Sequence, residues 1–122
     1  MLTLVPPNRY NFSMSNQPNE TWVKACQIGD IEPEDVIRFD HDGRTFAIYR
    51  TTDDKYYATD GLCTHEKVHL AKGFVMEHII ECPKHNGRFD FTTGKAQGAP
   101  ACVNLATYPV RIDGTRVMLR VS

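Results

Sequence analysis

Two short clusters in this 122-residue sequence set thiols beside imidazoles. Cys63-Thr64-His65 has the form C-x-H and Cys82-Pro83-Lys84-His85 the form C-x2-H, with 16 residues between His65 and Cys82. Each offers one thiolate and one imidazole, the soft and borderline donors that zinc and iron accept. In an extended backbone residues i and i+2 point the same way, so Cys63 and His65 are expected to face one centre. Pro83, directly after Cys82, suits a tight turn that brings Cys82 and His85 to the same centre. The candidate metal ligands are therefore Cys63, His65, Cys82 and His85.

The spacing bears on which metal. Structural zinc sites pair cysteine with cysteine and histidine with histidine, whereas each half is mixed here. The other setting that joins two cysteines to two histidines is a [2Fe–2S] centre in which histidines replace the cysteines on one iron. Cys63-Thr64-His65 followed by Cys82-Pro83-Lys84-His85-Asn86-Gly87-Arg88-Phe89-Asp90 resembles the C-T-H … C-P-x-H-x-G-x-F-D signature of Rieske-type ferredoxins of bacterial oxygenase systems. The group it most resembles is the rhizopine-catabolism type, and the likeness runs from about Thr21 to Val121. It implies one [2Fe–2S] cluster held by Cys63, His65, Cys82 and His85. It also implies a soluble one-electron carrier between an NAD(P)H-dependent reductase and a terminal oxygenase, converting no substrate itself.

The resemblance carries finer expectations. High-potential members have an extra cysteine in each cluster loop; Val68 and Lys84 stand at those positions, so that disulfide cannot form. Those members also place a serine and a tyrosine after the second histidine, where Gly87 and Phe89 stand here. Hydrogen bonds to cluster sulfur favour the reduced state. Without them the potential is expected at the low end of a range of about −150 to +300 mV. The histidines are expected to bind through Nδ1 and leave Nε2 at the tip. Gly98-Ala99-Pro100 resembles the proline loop that covers the cluster in the family.

The rest of the chain must position these groups. Its length fits one domain with a real core, and its fold class reads as all-β. Thr21–Ala25, Val36–Phe39, Arg44–Tyr49, Tyr56–Thr59, Ala106–Ile112 and Arg116–Val121 read as strands. Asp42-Gly43 and Asp113-Gly114 read as hairpin turns. The family's fold, implied by resemblance, is an antiparallel β-sandwich base with a small inserted cluster-binding subdomain. Residues 1–20, rich in Pro, Asn and Ser, read as a disordered lead to a single domain over 21–122, and Met14 is an alternative start. The first residues lack the basic and apolar regions of a secretory signal.

Fourteen basic and fifteen acidic residues give a net charge of −1, which offers no electrostatic case for nucleic acid. No apolar run reaches the length of a membrane span, so no anchor is expected. A cytoplasmic monomer is the simplest reading. Cys26 and Cys102 read as buried free thiols. His69, four residues past His65, is set aside as a ligand; His78 reads as a strand entry and His41 as a solvated neighbour of a turn. Glu66, Lys67 and Lys72 read as a solvated face that could dock a partner, and Trp22 and the tyrosines as sheet residues. The competing function is a structural zinc-binding interaction module. A terminal oxygenase is rejected, because no histidine follows Asp90 to build a second iron site.

Overall fold

The computed structural model describes residues 20–65, 67–84, 86–99, 101 and 103–122. Among these, the chain runs through β1 (Trp22–Gln27), β2 (Asp35–His41), β3 (Arg44–Arg50), β4 (Tyr56–Asp60), β5 (Phe74–Met76) and β6 (Ile79–Glu81). It continues through β7 (Arg88–Asp90), β8 (Lys95–Ala96), β9 (Thr107–Tyr108), β10 (Val110–Asp113) and β11 (Arg116–Arg120). The strands form three antiparallel sheets, ordered β1-β11-β10, β2-β3-β4-β9 and β5-β6-β7-β8. The first two are the sandwich base and the third is the inserted subdomain.

β3 explains how one chain supports two cores. Successive side chains of a strand point to opposite faces. Phe46 and Ile48 face the core of the base with Cys26, Ile31, Ala58, Val117 and Leu119. Ala47 and Tyr49 face the other way, toward Val36, Leu70, Ile80, Phe89, Phe91 and Leu105. All four are fully buried, so β3 reads as an unbroken apolar run and not as an alternating one. Tyr49 stacks flat on Phe91, centroids 4.3 Å apart and planes 2° apart, which ties the inserted sheet to the base. Such a pair adds about 0.5–1.5 kcal/mol beyond its buried area. The Tyr49 hydroxyl is satisfied by Thr59 Oγ1 at 2.9 Å.

The expected hairpins form, with one shift. Asp42 and Gly43 lie between the paired His41 and Arg44, at φ 53° and 79°, as a type I′ turn requires. At the far hairpin Asp113 still pairs with Arg116, so the turn is Gly114-Thr115 and not Asp113-Gly114. The positive φ of 64° falls on Gly114 and sets that register. The single strand expected over Ala106–Ile112 is two. Thr107–Tyr108 pairs with β4 in one sheet and Val110–Asp113 with β11 in the other. Pro109, with no N–H for either ladder, lies at the crossing.

Candidate metal centre

The first cluster lies on a closed loop between β4 and β5. The Gly61 N–H donates to the Thr45 carbonyl (3.0 Å) and the Leu70 N–H to the Gly61 carbonyl (2.8 Å). Leu62 and His69 form a bridge inside that closure, and the Cys63 N–H donates to the Val68 carbonyl at 3.0 Å. The second cluster joins β6 to β7, with Glu81 paired to Arg88. There the Cys82 N–H donates to the Gly87 carbonyl (2.7 Å), Pro83 and Lys84 form the expected turn, and Asn86 takes φ 59°.

These two loops bring the cysteines into one core. Cys63 is 2% exposed and Cys82 fully buried, and both belong to the cluster with Leu70, Ile80, Phe89 and Phe91. His65 is exposed. The extended geometry expected for Cys63 to His65 is not observed; the chain bends at Thr64 and His65. His85 lies outside the described residues, as do Glu66, Pro100, Cys102 and the lead over 1–19.

A third segment completes the site. The Gln97 N–H donates to the Arg88 carbonyl (2.9 Å), and Gly98 bridges to Ala101. A Cβ built on Gly87 would sit 3.4 Å from the Ala101 Cβ, so the second loop rests directly on this segment. The Thr64 hydroxyl donates to the Val103 carbonyl at 2.6 Å and ties in the first loop. Leu62 and Val103 on the tied segments remain 40% and 59% exposed, and Lys67 and Lys84 are exposed. Sequence reasoning missed this apolar pair, because neither residue belongs to a motif.

The remaining histidines have other surroundings. His69 is buried, its Nδ1 accepting from the Ala71 N–H (3.0 Å) and its Nε2 lying 2.8 Å from Thr45 Oγ1. Burial first, then the charge of Arg38, lowers its pKa below the ordinary imidazole value. His78 sits in the turn that enters β6. His41 ends β2 half-buried, stacked near Phe39, and is less solvated than expected. Cys26 is a buried thiol outside any disulfide, pushed up to about 11 by burial and then by Asp30. Tyr49 is held above the ordinary phenol value by burial.

The donor chemistry fits an iron–sulfur cluster of mixed ligation: thiols inside, where thiolate–metal bonds are shielded from water, and imidazole outside. Comparison with known proteins agrees. Residues 21–109 match the Rieske [2Fe-2S] domain family. The ferredoxin component of the naphthalene 1,2-dioxygenase system of Pseudomonas aeruginosa is 43% identical over 103 residues, covering 84% of this chain and 98% of that protein. The ferredoxin of carbazole 1,9a-dioxygenase from Nocardioides aromaticivorans IC177 superposes with TM-score 0.77 at 33% identity, covering 81% of this chain and 96% of that one. A chain in a complex of reduced oxygenase and oxidized ferredoxin in carbazole 1,9a-dioxygenase also superposes with TM-score 0.77, at 32% identity, covering 84% of this chain and 94% of that one.

Proposed function

We propose, from the premise that this chain belongs to the Rieske [2Fe–2S] domain family, that it is the ferredoxin of an oxygenase system, with Cys63, Cys82, His65 and His85 as ligands. It carries single electrons from a reductase to a terminal oxygenase and is not itself an enzyme. The observation that carries the ligand assignment is the contrast between buried Cys63 and Cys82, sharing one core, and exposed His65. When bound, the cluster supplies a one-electron couple.

The chain's own residues do the rest. Cys63 and Cys82 anchor from the dry side, in a core lined by Leu70, Ile80 and Phe89. His65 offers an imidazole edge at the surface, a short path to a docked partner. Exposed Leu62 and Val103 flank the segments tied by Thr64, and exposed Lys67 and Lys84 lie on the two Cys/His loops. Neither Gly87 nor Phe89 has a hydroxyl to donate to sulfur, which supports a potential at the low end of the family's range.

No helix among the described residues is long and apolar enough to cross a membrane. We place its work in the cytoplasm, the compartment whose reducing poise suits a buried free thiol such as Cys26. An anaerobic reductive titration of the holoprotein tests the carrier role. Uptake of one electron per chain is expected, with that electron then passing to an oxygenase component; two-electron uptake would contradict it.

A further inference from the structure

His69 is a buried polar side chain beside the first ligand pair, in none of the ligand roles. At 5% exposed it sits where the two arms of the Gly61–Leu70 loop meet, its backbone bridged to Leu62. One ring nitrogen holds the loop's exit: Nδ1 caps the 3-10 turn Leu70–Lys72 by accepting the Ala71 N–H at 3.0 Å. The other reaches the base: Nε2 is 2.8 Å from Thr45 Oγ1 on β3, and the Thr45 hydroxyl donates onward to Asp40 on β2 at 2.6 Å. Because Nδ1 accepts and the Thr45 proton goes to Asp40, the ring proton belongs on Nε2. The backbone makes room for this ring. A Cβ on Gly61 would stand 2.5 Å from Nε2.

We propose that His69 is a positioning residue for the Cys63–His65 loop, and that it clamps the loop only as the neutral imidazole, so that acid opens the clamp. The proposal rests on the reading of Cys63 and His65 as ligands. An imidazolium would point Nδ1–H at the Ala71 N–H, donor against donor, and leave that amide without its acceptor. The charged groups facing the ring are Asp40 and Arg38 from β2 and Lys72 from the 3-10 turn, while β3 offers the uncharged Thr45. Asp40 favours the imidazolium; burial, Arg38 and Lys72 oppose it and prevail. The folded pKa thus lies below 6.5. The clamp's contribution to stability is complete above that value and is lost as pH falls through the folded one. Opening frees the loop that holds the Cys63 N–H on the Val68 carbonyl, so release begins at the buried thiol's own segment.

Amide hydrogen exchange of the holoprotein from pH 7.5 to 5, with iron and sulfide assayed on the same samples, tests this. His69→Asn keeps an oxygen suited to capping Ala71 but cannot titrate; His69→Ala removes both bonds. After correction for intrinsic exchange, wild-type protection at Ala71 is expected to fall about tenfold across the range, the worth of one hydrogen bond. His69→Asn should hold its protection flat, and His69→Ala should be low throughout. Identical curves for wild type and His69→Asn would overturn the proposal, as would wild-type protection in His69→Ala at pH 7.5. If His69→Ala does not fold, the wild-type and His69→Asn curves decide alone. Protein lacking iron and sulfide but keeping the His69-dependent curve would sink the ligand reading and leave the clamp standing.

Discussion

Gly87 stands where a side chain could add a hydroxyl next to the proposed second ligand pair, and its described neighbours leave space for one. Among the described residues, a Cβ there meets only Ala101, its Cβ at 3.4 Å and its backbone nitrogen at 3.9 Å, ordinary contacts. Gly87→Ser is therefore expected to fold and to raise the midpoint potential, since a donor to sulfur favours the reduced state. Protein-film voltammetry reads the shift; an unchanged or lower potential would contradict the account. Phe89 is fully buried and offers a hydroxyl no comparable space. Gly61 is the opposite case, because its Cβ would strike the His69 ring. Gly61→Ala is expected to lose about 1–3 kcal/mol in urea denaturation, the usual cost of overpacking. At this scale the sequence was legible where local residue types set a turn, as at Pro83 and Lys84 after Cys82. It set His69 aside as a ligand but gave no sign of its partner Thr45, which lies 24 residues away and passes its own proton on to Asp40 across the β2–β3 hairpin. The extended backbone assumed between Cys63 and His65 is not found, because the loop bends there and is closed by the hydrogen bond from Cys63 to Val68.

The elements of the base were readable because each carries its own punctuation. Asp42-Gly43 fixes the β2–β3 register, and Thr51 to Asp54 forms the expected turn before β4, with Asp54 at φ 63°. The inserted sheet was not readable strand by strand. Its members β5, β6 and β7 are three residues long and β8 is two, too short to show a period. Their pairing depends on neighbours and on tight returns. The return from β7 to β8 uses Gly94 at φ +81°, where a Cβ would also overlap the Leu105 carbonyl oxygen. Backbone cannot yield there, so Gly94→Ala is expected to cost about 3 kcal/mol or more. A melting temperature within a degree or two of wild type would show that this return tolerates a side chain. Pro109 taught a similar lesson: composition joins Ala106 to Ile112, but a residue without an N–H marks where the chain changes sheets.

The whole molecule is an even-charged carrier with a locally distinct tip. Net charge is −1, yet exposed Lys67 and Lys84 stand on the two Cys/His loops, and the segments tied by Thr64 expose Leu62 and Val103. Steering by such charges acts on association rate and is screened by salt. Lys67→Glu is therefore expected to change the rate of electron exchange with the reductase several-fold at low ionic strength and little at high salt. Stopped-flow traces that do not respond at any salt concentration would remove Lys67 from docking. The motif resemblance pointed toward ferredoxins of the rhizopine-catabolism type, while the relative compared by sequence serves an aromatic dioxygenase system. The central claim is that the two mixed clusters hold one [2Fe–2S] centre. Low-temperature electron paramagnetic resonance of the dithionite-reduced protein tests it most directly, with iron, acid-labile sulfide and zinc assayed on the same sample. The account predicts two irons and two sulfides per chain and a Rieske-type signal, lost in His65→Ala and in His85→Ala. Zinc without sulfide, persisting after anaerobic reconstitution, would contradict it and favour a structural zinc module.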